Sequence, residues 1–229
     1  MAGQGTYDVD IVMCIDGTGS MGDLIGKVKE DAMNFYSRLE EAMLVAGKVP
    51  AGTRIKVIVF GDYKDDAEPM RESEFFNLPE QNDAYCAFVQ GIVPNGGGDI
   101  PENAFEAIAT AMKSDWTPAE TGKKRRQVIV VFTDAPALPL GERAGSANYP
   151  TDIPTTMSDF SAWWEGVSQE YGGSYNAVAG RLIAFAPNDE SWTQLESWSR
   201  FIPSYTACRG CSDIDMQMIL DIIVGSFDK

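Results

Sequence analysis

The chain has no histidine, only 4 cysteines in 229 residues, and little positive charge: 18 Lys and Arg face 34 Asp and Glu, a formal net charge of −16. Each shortage excludes something. Without histidine, and with no Lys beside the acidic motifs described below, no general acid for hydrolysis is evident. A zinc site built on Cys208-Arg-Gly-Cys211 would need two more soft ligands, and there is neither a second CxxC nor a His to supply them. The deficit of basic residues disfavours nucleic acid, whose phosphates need a basic surface, and anionic membrane surfaces. It favours cations and basic protein surfaces. No apolar run approaches the length of a membrane span. Residues 1–7 are small and polar without a basic n-region, so a cytoplasmic location is expected.

What is present is an apolar fraction of 44%, enough for a buried core and too much for a disordered chain. Cys14 and Cys86 fall in apolar strand and helix patterns and read as small buried hydrophobes. The Cys208/Cys211 pair reads as a tight turn with two incidental thiols, with redox chemistry as the minority alternative.

The period of the apolar residues gives the organisation. Residues 9–15 (VDIVMCI) are apolar on both faces, as in a central parallel strand. From Ser20 the step changes: Leu24, Ile25, Val28, Ala32, Phe35, Leu39 and Met43 make one stripe of a long helix, with Ser20 as its expected N-cap. Further strands are expected at 54–60, 74–78, 127–133, 181–186 and 205–208. Helices are expected at 79–90, 103–113, 158–170, 189–200 and 212–224. This alternation predicts one α/β domain over residues 1–229, an open sheet with helices on both faces. The connection 135–157 is long, rich in Pro, Gly, Ala and Ser, and without regular pattern, which marks it as functional. The basic run at residues 123–126 precedes a strand and reads as a solvated strand entrance.

Three segments at strand ends or turns carry acids: Asp16-Gly17-Thr18-Gly19-Ser20, Gly96-Gly97-Gly98-Asp99 and Thr133-Asp134. Loops leaving the carboxyl ends of neighbouring strands converge on one crevice in such a sheet. That would gather Asp16, Asp99 and Asp134, whose mutual repulsion a divalent cation relieves. Thr18 and Ser20 add neutral oxygens, and an all-oxygen set selects Mg²⁺, Mn²⁺ or Ca²⁺ over zinc. The competing readings are weaker. Residues 17–22 (GTGSMG) match a dinucleotide loop superficially, but Asp16 precedes them where a phosphate would approach. No suitably placed ribose-binding acid follows, and no Walker Lys-Ser/Thr pair exists, so no nucleotide is expected. Asp62, Asp65 and Asp66 read as solvated loop charges.

Asp16-Gly17-Thr18-Gly19-Ser20 resembles the D-x-T-x-S motif of von Willebrand factor type A domains, which hold a metal-ion-dependent adhesion site (MIDAS). Asp99, within Gly-Gly-Gly-Asp-Ile-Pro-Glu, is similar to the second-loop residue of bacterial and kinase-associated members. Thr133-Asp134-Ala135-Pro136 is similar to the third loop. The resemblance runs from about Tyr7 to Phe227. It implies a mostly parallel six-stranded sheet with one short antiparallel edge strand, Thr18 and Ser20 hydroxyls on the metal, and Asp16 and Asp134 acting through water. Asp99 departs from the more usual Thr; its charge should tighten cation binding and make the metal less electrophilic. The family implies a binding module that captures a partner protein's carboxylate. Gly17, Gly98 and Tyr149 are then the expected partner-facing residues, and the four tryptophans at 163, 164, 192 and 198 are expected in the core or a groove rather than as binding hot spots. The alternatives from the residues are a Mg²⁺-dependent hydrolase or phosphoryl-transfer enzyme, and a subunit whose metal only clamps three loops.

Overall fold

The computed structural model describes residues 5–96, 101–206 and 209–228. Among these residues seven strands form one sheet: β1 (Gly5–Asp16), β2 (Lys48–Phe60), β3 (Met70–Glu72), β4 (Phe76–Leu78), β5 (Lys124–Phe132), β6 (Gly180–Ala186) and β7 (Phe201–Tyr205). The order is β3-β2-β1-β5-β6-β7, and β4 also pairs with β2. β2, β1, β5, β6 and β7 run parallel. β3 and β4 lie antiparallel along the outer edge of β2, so two short edge strands stand where the resemblance implies one.

The helices are α1 (Gly22–Asp31), α2 (Phe35–Val45), α3 (Asn82–Gln90), α4 (Ala104–Met112), α5 (Met157–Trp164), α6 (Glu190–Thr193) and α7 (Met216–Gly225). Alternate residues of β1 feed two cores. Val9, Ile11, Met13 and Ile15 join α1, α2, α3 and α7, whereas Val12 and Cys14 join α4, α5 and α6. That period-2 alternation makes the sheet a central layer with helices on both faces. Trp163, Trp164, Trp192 and Trp198 are all buried, as expected. Among the described residues, no helix is long and apolar enough to cross a membrane.

The departures from expectation have local causes. The long helix breaks into α1 and α2 at a 3-10 turn, Ala32–Asn34, with the helix-poor Asp31 just before it and Asn34 at its end. Helix α5 stops at Trp164 because Gly166 takes φ +73°, a left-handed C-terminal stop, which leaves Val167, within the expected span 158–170, outside the helix and exposed. After α6 the chain tightens to a 3-10 turn at Gln194–Ser197; the buried Trp192, Leu195 and Trp198 recur every third residue, which is the 3-10 period. β7 lies earlier than expected, ending at Tyr205, and tolerates Pro203 because it is an edge strand. α7 begins at Met216, where Asp215 accepts the Met218 N–H at 2.8 Å as N-cap. The basic run is engaged by the protein itself. Lys123 pairs with Glu120 at 2.8 Å, Arg125 donates to the Thr117 carbonyl, and Arg126 to that of Phe227.

The connection after β5 has no strand or helix before α5, yet it is fastened along its length. Glu102 and Ala137 form an isolated parallel bridge, Ser191 Oγ accepts the Ala137 N–H at 2.9 Å, and Trp192 Nε1 donates to the Ala135 carbonyl at 3.2 Å. Arg143 grips Asp62 with Nε at 2.9 Å from Oδ1 and a terminal nitrogen at 2.7 Å from Oδ2. Asp62 is therefore a buried, paired acid and not the solvated loop charge its sequence context suggests. Asp66 also turns inward, accepting the Asp62 N–H at 2.8 Å and lying where a Cβ at Gly61 or Gly96 would collide with it. Glu106, fully buried on α4, accepts the Gly141 N–H at 3.2 Å and the Tyr149 O–H at 2.9 Å on one oxygen, Oε1.

Burial raises the Glu106 carboxyl above the ordinary glutamate range, against smaller lowering contributions from its hydrogen bonds. The folded state thus holds a proton that the unfolded state releases near pH ~4.3. Its contribution to stability falls as pH rises from that value through the raised folded pKa. Glu106→Gln keeps an acceptor for Gly141 and Tyr149 and removes the ionisation. Urea melts between about pH 4 and 8 should show a shallower loss of stability in the variant than in the parent, with the variant at least as stable at the alkaline end. Parallel pH profiles would contradict this.

Candidate metal centre

The strand order reverses between β1 and β5, since the chain moves outward through β2 on one side and through β6 and β7 on the other. Such a switch point opens a crevice at the carboxyl ends of the strands. Asp16 is the last residue of β1, and Thr133 and Asp134 directly follow β5, so the register of the sheet brings them together.

Asp16 is completely buried. Its Oδ1 accepts the Thr18 N–H at 2.9 Å and its Oδ2 accepts the Thr133 hydroxyl at 2.7 Å. Burial is the main cause that raises its carboxyl above the usual aspartate range; its hydrogen bonds lower it, and the nearby Asp134 charge raises it further. The Thr18 and Ser20 hydroxyls lie 3.3 Å apart, and the Ser20 hydroxyl donates to Asp134 Oδ1 at 2.8 Å. Asp134 Oδ2 accepts the Gly210 N–H at 2.7 Å. Four of the five expected ligands, Asp16, Thr18, Ser20 and Asp134, thus form one connected group of side-chain oxygens. Asp99, the fifth, lies outside the described residues, as does Gly98. Among the described residues no group of three or more His, Cys, Asp and Glu side chains gathers at a metal-holding spacing, and the carboxylates seen here are Asp16 and Asp134.

Ser20 is no helix cap. It sits inside the 3-10 turn Gly19–Met21, no side chain caps that turn or α1, and its hydroxyl is committed to Asp134. Gly17 packs tightly: its N–H donates to the Phe60 carbonyl at 2.8 Å, its carbonyl accepts the Asn95 N–H at 2.9 Å, and a Cβ there would lie 2.7 Å from Val59 Cγ1. Glycine at 17 therefore lets the loop after β1 sit against β2 and the segment before Gly96. Tyr149 is a correction. It is buried against Tyr63, with ring centroids 5.2 Å apart and its hydroxyl on Glu106, so it offers no ring to a partner. An aromatic residue in a long loop reads as a surface anchor in sequence; here an acid 43 residues earlier draws it inward.

Two contributors carry little signal in sequence. Thr133 was singled out only as the neighbour of Asp134, yet its hydroxyl ties Asp16 to β5 and also accepts the Ala135 N–H at 3.1 Å. Gly210 lies at φ +66°, and a Cβ there would come within 2.4 Å of the Ser20 carbonyl oxygen. Only a residue without a side chain brings its N–H to Asp134 while passing so close to the first loop. Cys211 follows, buried, with Sγ donating to the Thr133 carbonyl at 3.3 Å. Burial, with Asp134, Asp213 and Asp16 adding, pushes its thiol up to about 12, which keeps it protonated and opposes a redox role. Cys208 lies outside the described residues.

A family model described as von Willebrand factor A domain matches residues 10–140, more than half of the chain. No curated protein sequence matches. Among solved structures, the pilus adhesin SpaC of Lactobacillus rhamnosus GG, in its open conformation, superposes with a TM-score of 0.51 at 13% identity, over 96% of this chain and 30% of that one. Proximal thread matrix protein 1 from the mussel byssus, with a zinc-occupied MIDAS motif, superposes with a TM-score of 0.50 at 11% identity, over 97% of this chain and 49% of that one. At such identities the likeness is one of fold, and the chain spans only 30% and 49% of the length of these neighbours. The sheet order, the helices on both faces and the family match agree, and the chain belongs to the von Willebrand factor A domain family.

Proposed function

We propose that this chain is a metal-dependent protein-interaction domain: Asp16, Thr18, Ser20, Asp99 and Asp134 hold a Mg²⁺, Mn²⁺ or Ca²⁺ ion that receives a carboxylate from a partner protein. The observation that carries the reading is the connected set of oxygens from two loops, with the buried Asp16 and the adjoining Asp134. A buried carboxylate next to a second acid and hydroxyl groups suits a hard cation. The bound ion supplies an open Lewis-acid position. The residues of the chain do the rest. Asp16 fixes the first loop through the Thr18 N–H and the third through the Thr133 hydroxyl. Gly210 holds Asp134 in place from the other side. The absence of His and of any Lys beside the acidic motifs argues against hydrolysis, and a screen of phosphate esters with Mg²⁺ tests that alternative. Capture of a partner that persists undiminished in chelator would overturn the metal-dependent reading.

Calorimetric titration of chelator-treated protein should show one dominant site for Mg²⁺ or Mn²⁺ and no preference for Zn²⁺. A ligand at about 100 times its Kd stabilises the fold by ~2.7 kcal/mol, so thermal melts report the same event. The absence of any heat or melting shift at millimolar Mg²⁺ and Mn²⁺ would sink the assignment.

Ser20→Ala removes one ligand oxygen and one partly buried hydrogen bond of about 1 kcal/mol, but no helix cap. Its metal-free melt should therefore lie close to the parent's, while metal affinity falls by about tenfold or more. Unchanged affinity would remove Ser20 from the site.

Asp99→Asn tests the second loop. If Asp99 adds to the repulsion between Asp16 and Asp134, deleting its charge should raise the melting temperature of the metal-free protein and reduce the gain on adding Mg²⁺. An equal metal-induced shift in both proteins would show that Asp99 takes no part.

A further inference from the structure

On the α4 face, away from the metal loops, a cavity of 420 Å³ opens between β2, β3, the end of α4 and the far part of the 135–156 connection. Its charges are arranged unequally in depth. Lys56 of β2 pairs with Glu72 of β3 at 2.7 Å, but the lysine side chain is 10% exposed and the glutamate 49%. Lys113, at the end of α4, pairs with Asp152 of the connection, and again the lysine is the deeper partner, 27% exposed against 66%. Asp115, also exposed, lines the same cavity. Cationic groups thus lie at its floor and acids at its rim.

Two further donors belong to this floor. Ser114 lines the cavity, is 5% exposed, and its hydroxyl has no hydrogen-bond partner. Tyr63 lines it too; burial first, then Glu106 and Glu72, push its phenol up, so the hydroxyl remains a donor. The unpartnered buried hydroxyl of Ser114 calls for a hydrogen-bond partner. A ligand anion reaching the two lysines has to displace Glu72 and Asp152. A simple anion would leave those acids unpaired beside a new negative charge. A ligand that also carries an ammonium group returns a partner to them, so every charge stays matched.

We propose that this cavity is a binding site for a small zwitterion of the free amino-acid class, its carboxylate toward Lys56 and Lys113 and its ammonium toward Glu72 and Asp152. The occupant would lie against Pro150, Asp152 and Ile153, the far part of the connection that leaves β5 just after Asp134. The site needs no metal and stands apart from the interaction site proposed above.

The test is calorimetry and thermal melting of the full chain at low ionic strength, in chelator, with glycine, L-leucine, L-glutamine and L-arginine as probes. Acetate, n-butylamine and inorganic phosphate serve as single-charge-sign controls. At least one amino acid should bind about tenfold more tightly than every control. Lys113→Met, which keeps an unbranched stem on a partly exposed side chain, should abolish that difference while leaving the circular dichroism and the metal titration of the protein unchanged. Lys56→Met should do the same; if it fails to fold, Lys113→Met decides. The proposal is overturned if no amino acid binds, if acetate or phosphate binds as well as the best amino acid, or if Lys113→Met retains the selectivity.

Discussion

The carboxylate of Asp16 joins the two strands on which the candidate site rests. β1 and β5 run parallel, and their pairing ends at Ile15 and Phe132, so beyond it the two emerging loops need another link to each other. Asp16 fills that role with one oxygen on the Thr18 N–H and the other on the Thr133 hydroxyl. The Thr133 hydroxyl in turn receives the Ala135 N–H, so the start of the third loop is shaped by the same bonds. Ser20 then reaches Asp134, and Asp134 reaches Gly210. Three segments far apart in sequence are registered to one buried acid.

The geometry around this acid depends on positions where a side chain is not tolerated. Gly17 lets the first loop lie on Val59 and the Phe60 carbonyl, and Gly210 lets the segment before α7 lie on the Ser20 carbonyl. The connection after β5 is held differently, by side chains reaching across it: Glu106 from α4, Asp62 from the end of β2, Ser191 and Trp192 from α6. A stretch without regular structure still needs partners for its backbone polar groups. Here much of that need is met by the elements that form the second core.

Parallel strands buried on both faces announce themselves as apolar runs, and β1, β2, β5 and β6 were legible on that basis, with β1, β2 and β5 longer than their apolar cores; β7, a half-buried edge strand holding Pro203, meets the expected 205–208 only at Tyr205. The D-x-T-x-S segment and Thr133-Asp134 were legible because acids and hydroxyls at strand ends are chemically conspicuous. What was not legible depends on contacts between distant residues. Nothing near Tyr149 in sequence tells that Glu106 binds its hydroxyl, and nothing near Asp62 tells that Arg143, 81 residues on, neutralises it. The Ser20 cap reading failed for a related reason. A serine before a helix has two uses, and the carboxylate of Asp134, 114 residues away, decides between them. The early stop of α5 was readable in principle, since Gly166 marks it, but the apolar Val167 beyond it suggested continuation.

A comparison within one strand argues for a cation at the Asp16 end. β1 carries two deeply buried aspartates six residues apart, Asp10 at 2% exposure and Asp16 at 0%. The protein neutralises the first itself: Arg54 donates to both oxygens of Asp10 at 2.9 and 2.8 Å, and the Thr117 N–H and hydroxyl add two more bonds. Asp16 receives only an amide and a hydroxyl, and among the described residues no Lys or Arg pairs with it or with Asp134. Instead, burial raises its pKa, and the Asp134 charge raises it further. A fold needing only a loop clamp at that point would be served by the arrangement used at Asp10, since a buried charge without a counter-charge is costly. The same strand shows that the chain supplies an internal guanidinium where one is wanted. Leaving Asp16 without one, beside hydroxyls and a second acid, is the pattern expected where the positive charge comes from outside the polypeptide.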